Sequence, residues 1–270
     1  MTYFRYAKLA RMGREWARMA RMGANGARMG TLPVFLLDFW PNFQYTQFMP
    51  RIARAVAVGF PHHVTQRGNN RADVFLGDPD REYYLRTLVR YCGEFKLQVW
   101  AYCLMTNHVH LLVVPEREYS LAQGVGRTNL MYTQYINREY RRSGRVWQNR
   151  FFSCPVEREE YLWAVCRYIE RNPIRARLVE QPWDYQWSSA RHHVLGTPDL
   201  VLGTSQWLAE AERPQYREFL SQDVPDAYST RIRASTRTGR PLGSSDFIER
   251  LELKLGRILR PRKPGRKKRA

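Results

Sequence analysis

Short β-type runs alternate with longer helical patterns, and one tight antiparallel hairpin turns at Thr106-Asn107; together these predict an α+β chain. The order strand, helix, strand, strand, helix, strand, helix is that of a ferredoxin-like sandwich with an antiparallel sheet, followed by a basic helical C-terminal extension. Three parts are expected: residues 1–48, a catalytic-type domain over 49–196, and an extension over 197–270.

The first part is low in complexity. Arg-Met-Gly recurs at Arg11, Arg21 and Arg28, with no apolar face that persists, and Leu32 to Phe48 is aromatic-rich but interrupted by Pro33 and Pro41. It reads either as a start codon placed too early, with the product beginning at Met49, or as a disordered basic arm. Mass spectrometry of the native N-terminus separates the two, since a peptide upstream of Met49 contradicts the first.

In the middle part, His63–Arg67 reads as a strand ending in the turn signal Gly68-Asn69-Asn70. Asp78-Pro79-Asp80 opens a helix whose apolar stripe is expected at Tyr83, Leu85, Leu88 and Tyr91. Gln98–Met105 and His108–Val114 form the hairpin, Leu121–Tyr140 is an amphipathic helix, Val146–Cys154 a further strand and Glu157–Asn172 a further helix. Pro173 ends that helix, because the residue before a proline is pushed out of the α region. Beyond Thr197, Gln206–Leu220 and Ser245–Leu259 read as helices separated by a Ser/Thr/Arg/Gly-rich link around Arg231–Gly243. No acidic residue follows Glu252, so the end, with Arg266, Lys267 and Lys268, is a self-repelling basic block unless phosphate neutralises it.

Composition narrows the partners. With 44 Lys and Arg against 25 Asp and Glu, the net charge of +19 favours a polyanion, nucleic acid first, over a ribosomal or anionic-membrane partner. No apolar run approaches the ~20 residues that span a bilayer. Cys92, Cys103, Cys154 and Cys166 have no paired short spacing, so they read as reduced, mostly buried thiols of a cytoplasmic, nucleoid-associated protein.

His108-Val109-His110 carries the sharpest chemical signal. On a strand, period-2 alternation puts both imidazoles on one face, where neutral ring nitrogens can bind a metal or merely line a half-buried surface. Tyr168 and Asn172, spaced i, i+4, share one helical face. Taken alone, Tyr168 is a packed aromatic; beside two histidines it becomes a candidate nucleophile.

Four blocks resemble the single-tyrosine transposases of the IS200 type, in particular the REP-associated tyrosine transposase branch. They are His63-Val-Thr-Gln-Arg-Gly-Asn-Asn-Arg71, Ala101-Tyr-Cys-Leu-Met-Thr-Asn-His108-Val-His110-Leu-Leu, Val146-Trp-Gln-Asn-Arg-Phe151 and Tyr168-Ile-Glu-Arg-Asn172-Pro-Ile-Arg, in the family's order and within residues 49–196. The resemblance implies the same fold, His108 and His110 as a metal-binding pair, Asn172 as third ligand and Tyr168 as nucleophile. It also implies a divalent metal, Mg²⁺ or Mn²⁺, and single-stranded or hairpin DNA as substrate, joined through a 5′-phosphotyrosine intermediate. Gly59-Phe-Pro-His62-His63 departs from the Gly-Thr-x-Tyr-like element of many relatives, so base recognition at that edge is not carried over.

Two basic clusters are candidate DNA contacts: Arg67, Asn69, Asn70 and Arg71 in one loop, and Arg138, Arg142 and Arg145 near the end of the middle helix. Each arginine reads equally as solvated surface. Trp147 and Phe151 could stack on bases, but core packing is the stronger reading for both. Tyr161 is the runner-up nucleophile, with Tyr132 and Tyr135 behind it. A strand-transfer enzyme needs all four site residues; a binding-only descendant or a water-using nuclease does not, and the intact set favours the first. The expected assembly is a monomer or a homodimer.

Overall fold

The computed structural model describes residues 54–202, 207–223 and 226–261. The segment before Arg54, with the Arg-Met-Gly repeats and Met49, and the basic end with Arg266, Lys267 and Lys268 lie outside the described residues.

Four strands form the sheet: β1 (His62–Arg67), β2 (Leu97–Met105), β3 (His108–Pro115) and β4 (Phe152–Pro155). Their spatial order is β2-β3-β1-β4, and every neighbouring pair is antiparallel. Helix α1 (Asp78–Glu94) crosses from β1 to β2 and α2 (Ser120–Glu139) from β3 to β4. That is the ferredoxin-like α+β arrangement predicted from the element order.

Alternation along the strands makes two cores. On one face, Val64, Val99, Leu104, Val109, Leu111 and Val113 meet α1 and α2 through Tyr84, Leu88, Leu121, Val125, Tyr132 and Ile136. The opposite face, with Ala101, Cys103, Leu112 and Cys154, is covered by α3 (Arg158–Glu170) through Tyr161, Val165, Tyr168 and Ile169. Residues 161, 165, 168 and 169 are one stripe of a 3.6-residue helix, so the stripe that buries α3 also turns Tyr168 toward the sheet.

Several local expectations shift. The buried stripe of α1 is Tyr84, Thr87, Leu88 and Cys92, offset from the predicted Tyr83 and Tyr91, because Asp80 rather than an apolar residue faces inward at the first turn. Asp80 Oδ2 caps Leu76 N and Gly77 N, and its carboxylate accepts from the hydroxyls of Tyr135 and Tyr140, which fixes the helix rotation. The strand expected over 146–154 shrinks to Phe152–Pro155; Val146, Trp147 and Phe151 instead pack into the first core from an irregular segment. The predicted helix over 157–172 breaks at Arg171, and a single turn, α4 (Asn172–Arg175), restarts with Pro173 in its first turn, where a missing N–H costs nothing.

The C-terminal residues build further on the second face. Helix α5 (Ala190–Leu195), α6 (Arg213–Ser221) and α7 (Asp226–Thr238) add Ala190, Tyr216, Leu220 and Ile232 to the core under α3. Helix α7 runs through the stretch read from sequence as an irregular link. Its Ser229, Ile232 and Thr236 lie on one face and are buried, a stripe too polar to register as amphipathic. Helix α8 (Ser245–Leu255), predicted as helical, begins at Ser244, whose hydroxyl accepts from Phe247 N, and packs Phe247 and Leu251 against Ala55 and Ala57. All four cysteines are buried free thiols. No helix among the described residues is long and apolar enough to cross a membrane.

Candidate active site

The antiparallel register sets the site. Thr65 of β1 lies opposite His110 of β3, so His63 is the diagonal neighbour of His110 on the same face. Arg67 lies opposite His108. Cys154 of β4 lies opposite His63 on the other side.

The rings follow from that register. His63 and His110 stack with centroids 5.2 Å apart, and His63 Nε2 lies 2.9 Å from His110 Nδ1. The His108 and His110 ring centroids are 5.1 Å apart. Tyr168 meets both His63 and His110 edge-on, with centroid separations of 5.7 and 5.6 Å. Thus the structure brings together His108, His110 and Tyr168, and adds His63.

Burial decides the charge of these rings. Desolvation pushes His63 down to about 3. Desolvation, followed by the cations of Arg67 and Arg175, pushes His108 down to about 4. His110 is held well below the ordinary value by desolvation first, then by its neighbours His108, His63, Arg175 and Arg67. All three are neutral imidazoles near neutral pH, the form that can donate a lone pair to a cation.

The hydrogen bonds choose which nitrogen offers that lone pair. His108 Nδ1 is 2.6 Å from Asn107 Oδ1, which can only accept, so Nδ1 carries the proton and Nε2 the lone pair. The Asn107 amide nitrogen donates to Arg71 O, which fixes the orientation of the carboxamide. A ligating histidine with its other nitrogen donated to an acceptor is the usual arrangement at metal sites. Two neutral imidazoles, one of them so prepared, fit a divalent cation as a partial donor set. Among the described residues no group of three or more His, Cys, Asp or Glu is placed to hold a metal, so further donors must be amide, water or substrate oxygens.

Asn172 is placed differently from its expected role. Its Nδ2 donates to Tyr168 O and Ile169 O, closing the end of α3, and its Oδ1 accepts from Arg175 Nη2 at 2.6 Å. No hydrogen bond joins it to either histidine. Arg175 itself lies over the Tyr168 ring, 4.5 Å from the centroid. Tyr168 is 3 % exposed, enclosed by His63, His110 and this guanidinium. Behind it, the buried carboxylate of Glu170 accepts from Ser189, His193 and Tyr216, tying the end of α3 to α5 and α6.

The other tyrosines are elsewhere. Tyr132 and Tyr135 belong to α2 on the opposite face of the sheet, where Tyr132 donates to Val74 O and Tyr135 to Asp80. Tyr161 is two turns up α3, packed near Tyr228 with Arg231 over its ring.

The two basic clusters meet. Asn69 N donates to Val146 O, Gln148 N donates to Arg67 O, and Gly68 pairs with Trp147. Arg67, Arg71, Arg138, Arg142 and Arg145 are all exposed, so the loop after β1 and the loop after α2 form one basic rim. Asn107 connects that rim to His108. Gly68 makes the turn possible: a Cβ there would stand 2.1 Å from Ala72 O. Asn70 and Arg71 follow with left-handed φ of 52° and 62°, which lifts the loop outward.

Sequence reasoning named His108, His110 and Tyr168 and gave no role to His63, Asn107, Arg175 or Thr236. His63 and Arg175 stand inside the quoted motif blocks, and His63 has the strand alternation that could have placed it beside His110. Nothing in the pattern around Thr236 signals its contact with His63.

Comparisons with known proteins give three similarities. Residues 58–172 match the family model described as Transposase IS200 like. A putative REP-associated tyrosine transposase of Haemophilus influenzae is 27 % identical over 131 residues, covering 41 % of this chain and 74 % of that protein. A solved structure of a REP-associated tyrosine transposase bound to a REP hairpin aligns over 57 % of this chain and 90 % of its own, with 17 % identity and a TM-score of 0.48.

Proposed function

We propose, from the match of residues 58–172 to the family model described as Transposase IS200 like, that this protein cuts and rejoins single-stranded or hairpin DNA through a covalent bond to Tyr168. The observation that carries the reading is the placement of Tyr168 edge-on to His110, beside neutral imidazoles of which His108 has its Nε2 lone pair left to accept a cation.

The step balances simply. Tyr168 Oη attacks the scissile phosphorus, the bond from phosphorus to the 3′ oxygen breaks, and the phenolic proton ends on that oxygen as a free 3′-hydroxyl. A 5′-phosphotyrosine remains, so the phosphoester is retained and a second 3′-hydroxyl can reverse the step on a new strand. No nucleotide is consumed. A divalent ion, Mg²⁺ or Mn²⁺, held by His108 and His110 would draw charge from a nonbridging phosphate oxygen.

Arg175 has the role of first phosphate contact. A guanidinium binds phosphate more strongly than it binds a neutral amide, so an arriving phosphate takes Arg175 from Asn172 and from the face of Tyr168. That exchange uncovers the nucleophile and releases Asn172 Oδ1 as a third donor. The rim of Arg67, Asn69, Asn70, Arg71, Arg138, Arg142 and Arg145 then tracks the DNA backbone.

The test is an adduct assay. The full chain is incubated with Mn²⁺ and labelled hairpins bearing single-stranded flanks, and denaturing gels are read for a protein–DNA band. A metal-dependent band lost in Tyr168→Phe and in His110→Ala is expected. Cleavage that survives Tyr168→Phe without an adduct identifies a hydrolytic nuclease, and binding without cleavage identifies a DNA-binding protein on the same fold.

A further inference from the structure

The site imidazoles are chained to a hydroxyl that lies beyond the family-matched segment. Helix α7 packs against β4 and brings Thr236 to the sheet face beside His63. Thr236 Oγ1 lies 2.8 Å from Ile232 O, which can only accept, so the single hydroxyl proton is used there. The oxygen is then left as an acceptor. It faces His63 Nδ1 at 2.7 Å and Cys154 Sγ at 3.4 Å, one for each lone pair.

The consequence passes from ring to ring. If His63 Nδ1 donates to Thr236, His63 Nε2 holds a lone pair. His110 Nδ1, 2.9 Å from that lone pair, must carry the proton, and His110 Nε2 is left as the donor nitrogen. The opposite direction of the same three atoms would put a proton on His110 Nε2 and close it to any cation. Thr236, His63 and His110 are 2 %, 1 % and 5 % exposed, so bulk water does not compete for these bonds.

We propose that Thr236 is a positioning residue that, through His63, locks His110 in the Nδ1–H tautomer and so presents its Nε2 lone pair to a divalent cation. The proposal rests on the reading of His110 as a metal ligand. It makes α7, outside residues 58–172, a working part of the site rather than an appendage.

Two measurements on the full chain test it separately. In the first, the metal-free protein carries ¹⁵N-labelled histidine, and long-range ¹H–¹⁵N correlations report which ring nitrogen is protonated. Nδ1–H is expected for His63 and His110 alike; an Nε2–H signal from His110 overturns the relay, whatever the metal does. In the second, Mn²⁺ binding is measured by calorimetry for the wild type, Thr236→Val, Thr236→Ser and His110→Ala. Loss of the hydroxyl should weaken binding by about 10- to 100-fold, with Thr236→Ser restoring it and thermal melts confirming that both variants fold. A Thr236→Val protein that binds Mn²⁺ as the wild type does contradicts the proposal. Unchanged binding in His110→Ala would instead overturn the metal reading beneath it.

Discussion

At the scale of single residues, Arg175 covers the ring of the proposed nucleophile. Its guanidinium lies over Tyr168, while Nη2 donates to Asn172 Oδ1. Arg175→Ala should expose the phenol yet slow covalent cleavage by about a hundredfold, because the cation that would move onto the reacting phosphate is lost. Single-turnover rates at saturating DNA check this, and a rate equal to wild type would return Arg175 to a structural role. His62, outside the site, adds its own share to the pH dependence of stability. It is fully buried, donates from Nδ1 to Phe60 O and accepts at Nε2 from Ala57 N, and desolvation holds it down at about 4. Its folded value is depressed, so the unfolded chain takes up the proton first. Stability is complete above pH ~6.5 and falls as pH drops toward 4, by about 1.4 kcal/mol per pH unit from this histidine. Urea unfolding at stepped pH should show a total slope steeper than this, because His63, His108 and His110 are depressed in the same direction, and His62→Asn should remove about 1.4 kcal/mol per pH unit from it.

At the scale of elements, legibility followed periodicity. The His108–His110 strand and the Thr106-Asn107 hairpin were readable because alternation and a turn signal are both local. Tyr168 was readable because the helix stripe that buries it is strongly apolar. Asn172 was read only in part: its spacing from Tyr168 holds, but Arg175, three residues on, takes its oxygen. Helix α7 was not legible, since its buried face contains Ser229 and Thr236 and is stabilised by long-range packing and by the Thr236 to Ile232 bond. The turn after β1 makes a sharper element-scale prediction. Gly68→Ala meets Ala72 O and Val74 at distances no backbone tolerates, and should cost about 1–3 kcal/mol. DNA affinity should fall with it, because Asn69, Asn70 and Arg71 move; chemical denaturation and a binding titration read the two effects independently.

For the whole molecule, the rim joining the loop at Arg67–Asn69 to the one at Val146–Gln148 makes charge a positional property. The net charge of +19 said only that a polyanion was the partner to expect. The fold adds where exposed basic side chains gather, beside His108 at the end of β1, along Arg67, Arg71, Arg138, Arg142 and Arg145, the face we propose for DNA. Each phosphate neutralised contributes about −0.7 to the slope of log affinity against log salt for a single strand. Replacing Arg138, Arg142 and Arg145 together by alanine should therefore flatten that slope by about 2, with a uniform loss across sequences. A slope unchanged in the triple variant would place the DNA on another face.

Tyr168 as the nucleophile that bonds to DNA is tested most directly by peptide mapping of the trapped adduct. The wild-type protein is reacted with a hairpin in Mn²⁺, denatured, treated with nuclease and trypsin, and read by mass spectrometry. A residual 5′-phosphonucleotide on the Tyr168-Ile169-Glu170-Arg171 peptide is the result this account predicts. The same mass on a peptide holding Tyr161, or an adduct carried by any other residue, would contradict it.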